Sequence, residues 1–200
     1  MGSAGKAGWF FATFLAVIPA QAAQPDTPVS LDQLMTALHT VRHVDARYVE
    51  HRTLRALRTP IETRGTLHFD APDRLDKVTD PAADGTTDRL AIDGDRLTID
   101  RGHGGPRVVL MLNEHPEIGV LIESIRATLS GDGAALRRTF DVSMAGPLSN
   151  WQLVLQPHDP AQRALLQWMR ITGYDTRITA IDTQSGDGDH SEMAIVQQTP

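Results

Sequence analysis

The chain contains no cysteine, almost no lysine and no long apolar run. Lacking cysteine, it has no disulfides, no thiolate nucleophile and no thiolate metal site, so an exported protein of this sequence must hold together by packing alone. Lysine occurs only at Lys6 and Lys77, arginine supplies the remaining positive charge, and the formal net charge is −6. A mildly acidic chain without a basic run argues against nucleic acid and against anionic membrane surfaces as partners. The longest apolar stretch, Trp9 to Ile18, is about half of the roughly 20 residues that a spanning helix requires.

The motifs of catalysis are missing too. There is no G-x-S-x-G elbow, no Walker loop and no G-x-G-x-x-G after a strand. His103 lies in a glycine-rich turn with no serine or acid beside it, and reads as an exposed turn histidine. His39 and His43 have the i, i+4 spacing of a shared metal, yet the second falls where its helix should end and no H-E-x-x-H accompanies them. Asp187, Asp189 and Glu192 do not fit the register of a calcium loop. Asp93 and Asp95 flank a turn glycine, where they accept backbone hydrogen bonds. The sequence therefore predicts no enzyme, no catalytic residue, no metal ligand and no cofactor.

What is present begins with an export signal at residues 1–23. Lys6 provides the positive start, Trp9 to Ile18 the apolar core, and Ala20-Gln21-Ala22 the small-residue site for cleavage near Ala22-Ala23. Losing Lys6 takes the net charge from −6 to −7. Residues 24–29 form a flexible leader. Residues 30–200 are expected to make one domain, long enough to bury a core of its own.

That domain is organised around Ile61 to Asp100. From Ile61 to Asp70 the alternation is strict, with Ile61, Thr63, Gly65, Leu67 and Phe69 on one face of a half-buried strand. Pro72 breaks the ladder. Leu90 to Ile92 and Leu97 to Ile99 then form a hairpin at Asp93-Gly94. Earlier, Ser30 and Gln33 make a capping box for a helix carrying Leu31, Leu34, Met35, Leu38 and Val41. Val44 to Leu57, arginine-rich and poorly patterned, reads as an edge strand. Arg107 to Leu112 is another strand. Pro116 opens a helix with Ile118, Leu121, Ile122, Ile125 and Leu129 on its apolar face, and Gly131 closes it. Asp132 caps a short second helix running to Phe140. Strand patterns return at Val142 to Met144, Trp151 to Leu155, Leu166 to Ile171, Thr176 to Asp182 and Met193 to Val196, with a possible helical turn capped by Asp159. The predicted class is α+β, a curved antiparallel sheet of about 8–11 strands, closed or covered by three short helices.

The order of these segments carries a resemblance. G-x-L-x-F-x-A-P-x-R-L from Gly65 to Leu75, I-D-G-D-x-L from Ile92 to Leu97, R-A-T-L-S-G-D from Arg126 to Asp132 and W-x-L-x-L-x-P from Trp151 to Pro157 resemble the periplasmic outer-membrane lipoprotein carrier family (LolA-like), in a divergent branch. The resemblance implies an unclosed β-barrel lidded by helices, with an apolar interior that takes acyl chains. It implies an acyl-chain lipid or lipoprotein cargo, an inner-membrane donor transporter, an outer-membrane acceptor, a periplasmic location and a monomer. For the divergent branch it implies glycolipid or polyene-type lipid pathways. Read by themselves, Leu67, Phe69, Leu90, Ile92, Leu97, Ile99, Ile118, Leu121, Ile122, Ile125, Trp151, Leu153 and Leu155 are core; the resemblance makes them candidates for the cavity lining. Lipoprotein carriers place a functional arginine before the motif proline, where this chain has Ala71. Arg74 matches the arginine of the divergent branch and is the head-group candidate. A lipid-sensing regulatory or adaptor protein of the same fold is the alternative to a carrier. The helix from Pro116 is either a moving lid, weakened by Gly119, or a permanent packing element.

Overall fold

Alternating side chains and turn residues carry most of the chain into strands. The structure, a computed structural model, describes residues 27–102 and 105–197. The expected signal peptide, the first half of the leader and His103 lie outside the described residues. The strands are β1 (His43–Thr53), β2 (Ile61–Asp70), β3 (Arg74–Thr79), β4 (Asp88–Asp93), β5 (Arg96–Arg101), β6 (Val108–Met111), β7 (Phe140–Ala145), β8 (Trp151–Pro157), β9 (Leu166–Tyr174), β10 (Arg177–Ser185) and β11 (His190–Gln197). Four helices stand among the described residues: α1 (Leu31–Leu38), α2 (Pro116–Leu129), α3 (Gly133–Thr139) and α4 (Pro160–Arg163).

The strands form one antiparallel sheet of 11 in the order β6-β5-β4-β3-β2-β1-β11-β10-β9-β8-β7. Two meanders are thus joined by pairing β1 to β11, the first strand to the last. The sheet is not closed. Its free edges, β6 and β7, are consecutive in the chain, and the segment between them holds α2 and α3. β1, read from sequence as an edge strand, lies instead at the centre of the sheet, paired with both β2 and β11. Arg47 points outward while Ala46, Tyr48, Glu50 and Arg52 share the inner parity, and the inward charges blur an alternation that is otherwise regular.

Local chemistry sets the helix starts. The Ser30 hydroxyl accepts from the Gln33 amide at 3.3 Å, and the Gln33 side chain accepts from the Ser30 amide at 2.8 Å. Asp132 caps α3 by accepting from the Ala135 amide at 2.9 Å, and Asp159 caps α4 through the Ala161 amide at 2.8 Å. At Gly131, φ is +69°, and an added Cβ would lie 2.3 Å from the Met35 carbonyl oxygen. Only glycine lets the end of α2 approach α1 that closely.

Two hydrophobic clusters result. The main one packs α1, α2 and α3 on the inner face of β7–β10, with Leu34, Leu136, Leu153, Leu155, Met169 and Ile171 fully buried. A second joins Ile92 and Leu97 of the first meander to Leu112 and Ile122. α2 belongs to both, through Val120 and Ala127 on one side and Ile122 on the other. No helix among the described residues is long and apolar enough to cross a membrane.

Candidate functional site

Between the two clusters the helices do not reach the sheet. A cavity of about 380 Å³ remains, walled by the inner faces of β1–β4, β10 and β11 and roofed by α2. Its apolar surface comes from Val44, Ala46, Leu67, Phe69, Leu75, Leu90, Ile92, Ile178, Ile181, Met193 and Ile195 on the strands, and from Leu121, Ile122, Ile125 and Leu129 on the helix. Leu121, Ile125 and Leu129 follow at i, i+4, i+8, one stripe along α2.

Seven of the thirteen residues picked from sequence line this space: Leu67, Phe69, Leu90, Ile92, Leu121, Ile122 and Ile125. The other six do not. Leu97, Ile99 and Ile118 belong to the second cluster, while Trp151, Leu153 and Leu155 are sealed in the main one. The reason is coverage: β8 points the same way as β2, but α1 and α3 sit over its half of the sheet and fill the room in front of it. Trp151 lies over its cross-strand partner Gly173, and its indole N–H donates to the Asp175 carbonyl at 3.0 Å.

The lining that sequence reading missed comes mainly from β10 and β11. Ile178 and Ile181 are three apart, a spacing foreign to a strand. A register shift between Ile178 and Ala180 brings both onto the inner face. No period-two search finds such a pair.

The cavity also has a polar end. Glu50, only 8 % exposed, accepts a very short bond from the Lys77 ammonium, a bond at 2.7 Å from the Ser191 hydroxyl and a longer one at 3.4 Å from Thr63. Burial pushes the Glu50 carboxyl up, but the Lys77 charge and the hydrogen bonds from Lys77 and Ser191 outweigh it and hold the group below its ordinary value. The Lys77 ammonium sits 4.7 Å from the centre of the Tyr48 ring. His190 lines the same end, and its Nδ1 is buried without a partner. The only lysine downstream of the signal region thus stands inside the site. Arg74, the head-group candidate, is on the outer face, exposed and 3.7 Å from Asp76. On β3, alternation sends Leu75 and Lys77 inward and Arg74 and Asp76 outward.

A polar contact fastens the roof to the first meander. Arg126 of α2 donates to the Gly94 carbonyl in the β4–β5 turn at 2.9 Å and pairs with Glu123 at 2.6 Å. Ala71 offers no side chain for such a link. Gly119 has a packing reason of its own, since an added Cβ would lie 3.1 Å from the Leu112 carbonyl oxygen.

The outer face holds a second cluster, absent from the sequence reading. His39 and His43 do not meet; His39 bonds through Nδ1 to the Ser130 carbonyl at 2.9 Å. His43 instead joins Asp45, His68 and Asp70 across the β1–β2 ladder.

The chain resembles a LolA superfamily protein of Nitrosomonas europaea at 8 % identity, covering 86 % of this chain and 94 % of that one, with a TM-score of 0.44. An outer membrane lipoprotein-sorting protein domain from Vibrio parahaemolyticus is similar at 9 % identity, over 84 % and 91 % of the two chains, with a TM-score of 0.45. LprF from Mycobacterium bovis is similar at 9 % identity over 88 % and 96 %, with a TM-score of 0.34. No curated protein matches the chain by sequence. The family model for outer membrane lipoprotein carrier protein LolA-like matches residues 22–197, and the chain belongs to that family.

Proposed function

We propose that this protein is a periplasmic carrier that takes an acylated molecule into the cavity under α2 and delivers it towards the outer membrane. The observation that carries the reading is the cavity itself: about 380 Å³, aliphatic over most of its wall and polar at one end. Each buried methylene is worth about 0.8 kcal/mol, so a sixteen-carbon chain gains roughly 12 kcal/mol before association costs are subtracted. The Glu50–Lys77 end suits the polar group to which such a chain is attached. An inner-membrane donor and an outer-membrane acceptor complete the scheme, with the signal at residues 1–23 directing export.

Native mass spectrometry of the protein isolated from its own periplasm tests this directly. The expected result is a bound acylated species that leaves when acceptor vesicles are added. Protein that releases no acyl-bearing molecule, and that fails to bind a fluorescent fatty acyl probe, would overturn the reading. A lipid that is bound but never released to vesicles points instead to the sensing role.

A further inference from the structure

The outer-face cluster is built on the central ladder of the sheet. His43 and Asp45 are two apart on β1, His68 and Asp70 two apart on β2, and the register sets His43 opposite Asp70 and Asp45 opposite His68. All four side chains therefore project from one face of one strand pair. Asp70 faces both rings, with Oδ1 at 2.7 Å from His43 Nδ1 and Oδ2 at 3.0 Å from His68 Nε2. Asp45 holds the opposite edges, with Oδ2 at 2.9 Å from His43 Nε2 and Oδ1 at 2.7 Å from His68 Nδ1. The two rings meet edge to face at 4.7 Å.

We infer that His43, His68 and Asp70 form a binding site for a divalent transition-metal ion of the zinc type, with Asp45 as the carboxylate that orients both imidazoles. One ligand atom from each of the three lies within 4.8 Å of the others. Zinc with bonds of about 2.0–2.1 Å holds tetrahedral ligands roughly 3.3 Å apart. The observed N···O separations of 2.7 and 3.0 Å are close to that, so small side-chain rotations admit the ion where hydrogen bonds now run. Asp45 supplies what a metal-bound histidine ordinarily has, a carboxylate accepting from the ring nitrogen that does not touch the metal. Two imidazoles and one carboxylate favour zinc, nickel or copper over calcium or magnesium, which require more oxygen ligands. Three protein ligands leave a fourth position for water or a partner's side chain. The sequence reading expected no metal, because it paired His43 with His39 along the chain instead of with His68 across it.

Titration of the untagged, chelator-stripped chain with zinc chloride alone tests the site. One equivalent should bind with micromolar affinity or tighter, while magnesium at the same concentration should not compete. His68→Gln should weaken binding by at least about 100-fold and Asp45→Asn by about 10–100-fold. His51→Gln, on the same outer face of β1 and beside Glu62, should leave binding unchanged. Cobalt(II) pseudocontact shifts on the unaltered chain locate the ion without any substitution, and should centre on residues 43, 68 and 70. Absence of one-equivalent binding, unchanged affinity in a folded His68→Gln protein, or a cobalt position elsewhere overturns the assignment. Equal loss in His51→Gln does so as well, since it marks unspecific histidine binding.

Discussion

Replacing Lys77 with methionine should reverse the pH dependence of stability. In the native chain the Glu50 carboxyl is buried yet held below its ordinary value of 4.5 by Lys77 and Ser191. A depressed folded value contributes stability that is present above the unfolded value and lost as pH falls through the folded one. Native protein should therefore weaken on acidification below about pH 4.5. Methionine preserves the apolar stem of the side chain but removes the charge, and with it the ammonium's contact with the Tyr48 ring. Burial, the largest influence on Glu50, then acts with its main opponent gone and raises the folded value above the unfolded one. The sign inverts: the contribution is complete below the unfolded value and is lost as pH rises through the folded one. Breaking one partner from a buried pair costs about 3–5 kcal/mol. In a domain of this size that lowers Tm by roughly 6–20 °C at neutral pH. Adding Glu50→Gln, which keeps the bonds to Ser191 and Thr63, should recover most of the loss. Calorimetry between pH 4 and 8 measures all three proteins. A Lys77→Met protein that loses less than about 1 kcal/mol at neutral pH and retains the native slope would refute the reasoning.

Ile181→Trp should occlude the cavity from the β10 wall without adding charge, lowering affinity for a fluorescent acyl probe at least tenfold while the fold persists; undiminished binding removes β10 from the site. Gly65→Ala should destabilise by about 1–3 kcal/mol or more in denaturant melts, because its Cβ would sit 1.9 Å from the Val78 carbonyl oxygen and 2.8 Å from the Tyr48 ring. Hydrogen exchange should show larger gains in protection for amides 119–128 than for 67–69 when the probe binds, and Arg126→Ala should speed exchange in α2; equal, high protection of both segments without the probe sinks the lid.

The fold was legible wherever one strand face is apolar and the other polar. β2 runs over the residues that its alternation marks, and the boxes at Ser30, Asp132 and Asp159 start helices where expected. Legibility failed where tertiary context overrides local pattern. β10 and β11 extend beyond their apolar runs through polar residues that are half-buried, and β9 continues through Gly173, which is buried against Trp151. β1 hides its central place behind an inward glutamate whose lysine partner is 27 residues away. The cavity itself was half legible for a different reason. Period two tells which way a strand residue points, and the sheet points Trp151, Leu153 and Leu155 inward as surely as Leu67 and Phe69. It does not tell where the helices stop.

Where they stop is decided by α2, which serves as cover and wall at once. Val120 and Ala127 pack it into the main cluster, Ile122 into the second, and Leu121, Ile125 and Leu129 face the open space. Swinging the whole helix away would expose Val120 and Ile122 together, at about 1.5–3 kcal/mol for each side chain. That is a sizeable share of the 5–15 kcal/mol by which a domain is ordinarily stable. An empty space of about 300 Å³ costs on the order of 7 kcal/mol, which favours helices settled fully onto the sheet. Closing the gap would draw α2 away from its packing against α1 and α3, exchanging one loss for another. Cavity and core therefore compete for the same helix. Filling the space with an acyl chain removes the competition, so cargo that enters under α2 stabilises the packing on both sides of it.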